Sequence, residues 1–259
     1  MTAQPERTLV DWASMLVRDW SARGALPSRD LFVASHPGWN DAEAWERHAA
    51  TEVELFLAGL DASWLRTADV LEIGCGSGRL LRLLRAASNS YTGFDIAPGM
   101  LEAAERRAAG IEGVRLFRGD GLGVPEPARD RRYGLVLACA VFIHCPRPVI
   151  AANIQSAWAV LAPGGQLRLS VLAFPDDPEG IVGPQDAVER ATAAVADDMK
   201  RVIAGLTPEE RRLAFDTYYM GDRFRYAELA PFLRELTGGE VALYRGDPGA
   251  IYAAVTKQP

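Results

Sequence analysis

Apolar residues recur at Leu9, Trp12, Ala13, Leu16, Val17 and Trp20, three and four positions apart, and this spacing predicts an amphipathic helix over about Thr8 to Trp20. Gly24, Pro27, Pro37 and Gly38 then interrupt the period and predict a loop. Helical spacing returns at Trp45, Ala49, Val53, Phe56, Leu57 and Leu60, so residues 1–65 read as a helical cap ahead of a first strand. From Asp69 the pattern changes. Short apolar runs at Asp69 to Ile73, Tyr91 to Asp95, Val114 to Gly119, Tyr133 to Ala138 and Gln166 to Phe174 alternate with helical stretches at Arg79 to Ala87, Pro98 to Ala109 and Pro148 to Leu161. Strands that are apolar on both sides belong to a parallel sheet with helices on both faces.

After Phe174 the alternation stops. A polar stretch over 175–225 predicts helices at Pro184 to Leu206 and Pro208 to Tyr219. The chain then returns to an amphipathic helix, Tyr226 to Leu236, closed by Gly238 and Gly239, and to two strand-like runs, Val241 to Tyr244 and Ile251 to Thr256. These runs predict a terminal hairpin at the sheet edge. The expected organisation is one domain: cap (1–65), core (66–174), insertion after strand five (175–225), then C-terminal helix and hairpin (226–259).

With 259 residues, 49% of them hydrophobic, the chain is long enough to bury the core of one α/β domain. A formal net charge of -6 argues against a protein that holds nucleic acid by neutralising phosphates. Cys75, Cys139 and Cys145 lack metal-ligand spacing and read as reduced, mostly buried thiols. Met1 to Leu9 has no apolar stretch of signal length, and no apolar run approaches the roughly 20 residues of a membrane span. The expectation is a cytoplasmic protein without membrane contact, its oligomeric state open between monomer and homodimer.

The chemistry concentrates in Val70-Leu71-Glu72-Ile73-Gly74-Cys75-Gly76-Ser77-Gly78-Arg79-Leu80: a buried strand, an acid, a glycine turn and a helix expected to begin near Arg79. Glycine lets the backbone pass close beneath a ligand, and free N–H groups at a helix start favour an anion such as an amino-acid carboxylate. Asp95 ends the next strand, where a carboxylate can accept both hydroxyls of a ribose, or complement the helix that follows. Asp120, in Gly119-Asp120-Gly121, can accept from an exocyclic amine such as adenine N6, or close a turn. A nicotinamide dehydrogenase shares this layout, but its fingerprint is spaced for a pyrophosphate; here Gly74, Gly76 and Gly78 run directly into Arg79.

These stretches, in this order, closely resemble the class I S-adenosylmethionine (SAM) dependent methyltransferase family over Asp69 to Phe174, and more loosely at the C-terminus. Tyr133-Gly134-Leu135-Val136-Leu137-Ala138-Cys139 resembles the family's fourth-strand motif, and Leu161-Ala162-Pro163-Gly164-Gly165-Gln166 its turn before strand five. The resemblance implies a doubly wound, seven-stranded, Rossmann-like sheet. It also implies a cofactor site made of Glu72, Gly74, Cys75, Gly76, Asp95, Ile96, Met100, Asp120, Gly121, Ala138 and Cys139. SAM would be the cofactor and S-adenosylhomocysteine (SAH) its product. Two positions depart from the family. Gly134 stands where an acid is usual, and Ala140 stands where some relatives place a metal-binding acid, so no metal is expected.

The implied reaction moves a methyl group to an O or N atom of a small molecule, with specialised metabolism as one setting for it. A non-methylating use of SAM and a regulatory SAM-binding subunit are the other readings. His144, at the carboxyl end of the fourth strand, is the candidate base, with a loop-orienting role as its alternative. His48 and His36 are weaker candidates. Trp39, Tyr218, Tyr219 and Phe224 are read either as an aromatic wall for the acceptor or as core. Asp176, Asp177 and Glu179 are read either as an attraction for a cationic acceptor or as a solvated loop.

Overall fold

The computed structural model describes residues 7–33, 38–177, 200, 202, 204–215, 220–245 and 249–259. The predicted helix 184–206 lies largely outside them, and residues 216–219 of the predicted helix 208–219, Tyr218 and Tyr219 among them, His36 and Glu179 lie outside them. The first helix, α1 (Leu9–Gly24), starts where Thr8 caps it: the Thr8 hydroxyl accepts the Asp11 N–H, and Asp11 accepts the Thr8 N–H in return. The predicted loop after it contains a short helix, α2 (Arg29–Val33). Asp41 and Asp61 cap α3 (Ala42–Leu57) and α4 (Ala62–Thr67), and α4 is an addition to the sequence reading.

Five strands follow with their crossover helices: β1 (Asp69–Ile73), α5 (Leu81–Ala87), β2 (Ser90–Asp95), α6 (Pro98–Ala108), β3 (Val114–Arg118), β4 (Tyr133–Ala138), α7 (Arg147–Val160) and β5 (Leu161–Ala173). After α8 (Pro208–Phe215) come β6 (Arg223–Phe224), α9 (Tyr226–Thr237), β7 (Glu240–Arg245) and β8 (Ala250–Thr256). The sheet order is β3-β2-β1-β4-β5-β8-β7, with β1 to β5 parallel. β8 runs antiparallel on β5, and β7 antiparallel on β8, which is the expected terminal hairpin. The expected seven strands become eight, because Arg223 and Phe224 pair with Leu172 and Ala173. Phe224 is fully buried there against Phe232, ring centroids 5.2 Å apart, so it belongs to the core and not to an acceptor wall.

Both sheet faces are covered, as the apolar strands require. On β1, Val70 faces a cluster with Val53, Phe56, Leu81 and Leu84 of α3 and α5, while Leu71 faces one with Ile150, Ile154, Leu229 and Leu233 of α7 and α9. The cap therefore divides: α3 is part of the sheet's cover, and α1 and α2 extend over the carboxyl ends of the strands. Arg168 of β5 fixes α3 by donating to the Phe56 and Ala58 carbonyls at 2.6 and 2.8 Å, satisfying orphan acceptors at the helix end. α4 lays Trp64 and Ala68 over β4. A Cβ on Gly134 would lie 2.8 Å from the Ala68 Cβ, which is why no acid fits at that position of the fourth strand.

Candidate functional site

Strand order reverses between β1 and β4, and in an open parallel sheet such a switch point opens a crevice at the carboxyl ends. One is present here, with about 920 Å³ free of atoms including its open mouth, room for a nucleoside-sized ligand. Glu72, Gly74, Cys75, Gly76, Asp95, Ile96, Met100, Gly121, Cys139 and His144 all line it, so ten of the residues singled out in the sequence converge from separate strand ends. Asp120 and Ala138 are not among the lining residues. Asp120 is exposed and its Oδ1 accepts the Leu122 N–H at 2.8 Å, closing a turn. Ala138 is fully buried in β4, paired with Leu169.

The glycine turn is tightly packed. Gly74 has φ +64, and a Cβ there would lie 2.5 Å from Val141 Cγ2, so neither the conformation nor the space admits a side chain. Asp95 is buried at the end of β2 and holds the turn: its Oδ2 accepts the Gly76 N–H at 2.9 Å and its Oδ1 the Ala97 N–H at 2.8 Å. Burial raises its carboxyl pKa, and these backbone donors oppose the rise. Each oxygen has taken one donor and retains capacity for a ligand hydroxyl. Glu72, also buried, accepts the Tyr91 hydroxyl at 2.5 Å. Burial pushes its carboxyl up to about 7, against the pull of Tyr91 and Arg79.

The helix after the turn begins two residues later than expected, at Leu81, because residues 76–80 are spent in turns. Its first turn is closed by buried Leu80 and Leu81, and the cation at that end is Arg79 itself. Arg79 pairs with Glu52 of α3, donates to His48 Nδ1 at 3.0 Å, and keeps a buried Nε with no hydrogen-bond partner. The Cys139 thiol donates to Glu52 at 3.3 Å. His48 is thus tied to the crevice through Arg79. Neither Arg79 as a side chain nor Glu52 was singled out in the sequence; the two stand on different elements, and the i,i+4 spacing of His48 and Glu52 on α3 is the one local signal that could have drawn attention to Glu52.

The remaining wall comes from the cap: Leu16 and Trp20 of α1, Phe32 and Val33 of α2. Trp20 and His144 rings lie 5.1 Å apart, and His144, buried, ends a single 3-10 turn, Phe142–His144. Trp39 stands half-buried before α3, away from the lining. Asp176 pairs with Arg225, and Asp177 accepts the Tyr226 N–H at 2.6 Å, so these acids tie the start of α9. Cys75 and Cys145 are buried and Cys139 is half-buried; all three are free thiols, and burial pushes Cys145 up to about 12. Among the described residues no helix is long and apolar enough to cross a membrane.

The crevice thus brings the Glu72 and Asp95 carboxyls and the Arg79 guanidinium together with His144. Comparisons with known proteins find methyltransferases. Residues 70–165 match a family model described as a methyltransferase domain. The chain is 27% identical over 210 residues to a ubiquinone biosynthesis O-methyltransferase of Xanthomonas euvesicatoria, covering 79% of this chain and 77% of that protein. It is 34% identical over 143 residues to a demethylmenaquinone methyltransferase of Thermus thermophilus, covering 48% of this chain and 60% of that protein. Among solved structures it shares the fold of DhpI in complex with SAH, at a TM-score of 0.61 and 22% identity, covering 97% of this chain and all of the other.

Proposed function

We propose, from the premise that this chain is a class I SAM-dependent methyltransferase, that it moves the methyl group of SAM to an O or N atom of a small, largely apolar molecule. The observation that carries this reading is the convergence of Glu72, Arg79 and Asp95 beside His144 in one crevice at the switch point. Asp95 suits the ribose diol. Arg79, with an unpartnered buried Nε, suits the methionyl carboxylate, and Glu72 the ammonium. Bound there, SAM supplies a methyl group already activated on a sulfonium, so the protein's task is alignment and exclusion of water, worth about 7–11 kcal/mol when geometry is good.

Leu16, Trp20, Phe32 and Val33 exclude water from the open side and give the acceptor an apolar wall. The names of the relatives, which concern quinones, support an acceptor of that character. His144 is the residue that takes a proton from an acceptor hydroxyl or amine, with the Trp20 ring fixing the imidazole.

Calorimetry with SAH and NADH tests the cofactor: SAH binds and NADH does not, and the reverse result removes the reading. Asp95→Ala weakens SAH by about 1–3 kcal/mol, the scale of a lost charged hydrogen bond. Radiolabelled SAM with candidate small molecules tests the transfer. His144→Gln then lowers kcat by about 100-fold or more while leaving SAH affinity in place, the pattern of a lost base.

A further inference from the structure

Ala140 is the one non-glycine residue among those described with a left-handed backbone, φ +54. An alanine is strained there where a glycine is not, and such strain persists only where neighbours hold it. β4 leaves the sheet at Ala138, paired with Leu169; the next residue of β5, Ser170, is buried, and its Oγ accepts the Ala140 N–H at 3.1 Å. The kink sends the chain across the crevice. Val141 packs its methyls against Gly74, and its carbonyl accepts the His144 N–H at 3.0 Å. From the other side the Gly221 N–H donates to the Ile143 carbonyl at 2.8 Å and the Asp222 N–H to the Cys145 carbonyl at 3.1 Å. One left-handed residue thus places both the glycine turn and His144.

We propose that Ser170 is a positioning residue for methyl transfer: its hydroxyl holds Ala140 left-handed, and through that kink sets Val141 and His144 against the glycine turn. The proposal rests on the SAM reading of the crevice. The test is SAH calorimetry on the whole chain for the wild type, Ser170→Ala and Ser170→Ala with Ala140→Gly, together with NMR of the histidine ring signals. Ser170→Ala weakens SAH about tenfold and moves the His144 ring signal, the scale of one buried hydrogen bond. Adding Ala140→Gly recovers binding to within about threefold of wild type, because glycine adopts the kink without being held. If Ser170→Ala does not fold, Ser170→Cys replaces it with the same expectation, sulfur being the weaker acceptor. SAH affinity unchanged by the loss of the hydroxyl overturns the proposal, and so does a loss that Ala140→Gly leaves uncorrected in a folded protein. A wild type that binds no SAH overturns the SAM reading as well, and is recognised because every variant is then silent.

Discussion

Glu72 carries a pH dependence that its position alone implies. Burial pushes its carboxyl up to about 7 from an ordinary value of 4.5, with Glu52 and Asp95 adding to the rise and Tyr91 and Arg79 opposing it. The folded protein therefore holds that proton more tightly than the unfolded chain. Its contribution to stability is complete below the unfolded value and is lost as pH rises through the folded one. Urea unfolding of the ligand-free protein at pH 5 and pH 8 is expected to show a fall in stability that Glu72→Gln removes, by on the order of 3 kcal/mol for a shift of that size. Equal pH slopes in the two proteins would refute it. The places of Glu72 and Asp95 in the crevice were legible because an acid near the carboxyl end of a buried strand reaches the crevice by construction. Asp120 met the same criterion on the sequence, yet its carboxylate turns out to serve its own loop. The Arg79–Glu52 pair was not legible, since nothing local joins residues on a turn and on a helix that packs across the sheet.

At the scale of elements, the strands were readable because burial leaves short runs dominated by apolar positions, least so in the edge strand β3, where Arg115 and Arg118 intrude. What escaped were pieces defined by partners. β6 is two residues long and exists through Leu172 and Ala173. β5 begins at Leu161, inside a Leu-Ala-Pro-Gly-Gly stretch that reads as a turn, because Leu161 pairs with Tyr133 across an irregularity in the register. α4 is one and a half turns, too short for a period to show. Its packing has a consequence for β4. A side chain at Gly134 would meet Ala68 and come within 3.5 Å of Trp64, so Gly134→Ala is expected to destabilise the fold by about 1–3 kcal/mol through overpacking. Thermal unfolding reads that loss, and Ala68→Gly in the same chain should return most of it, since the clash is with the Ala68 methyl. Additive effects of the two substitutions would show that α4 is not what excludes the acid.

At the scale of the molecule, the crevice is closed by parts far apart in the chain that meet on one buried cation. Arg23 of α1 is 1% exposed; its Nη2 donates to the Leu213 carbonyl of α8 at 2.8 Å, and its guanidinium lies over Trp20 at 5.3 Å and near Phe32 at 5.9 Å. Ser28 adds a second tie by donating to Glu210 of α8. The ring that Arg23 stacks on is the one beside His144, so the tie between cap and insertion also fixes the wall of the site. Arg23→Ala removes a buried hydrogen bond and a desolvated cation–π contact, together about 2 kcal/mol or more, and that loss falls on α1, α2 and α8, the elements these contacts join. Limited proteolysis should then cut residues 7–33 several-fold faster, at an opening free energy lowered locally. Global unfolding should move much less. Arg23→Lys should not rescue the rate, because an ammonium cannot stack on the indole and reach the Leu213 carbonyl as a planar guanidinium does. Cleavage at the wild-type rate in Arg23→Ala would mean that the cap is held by its other contacts, Ser28–Glu210 among them, and that Trp20 owes its place beside His144 to packing rather than to this cation.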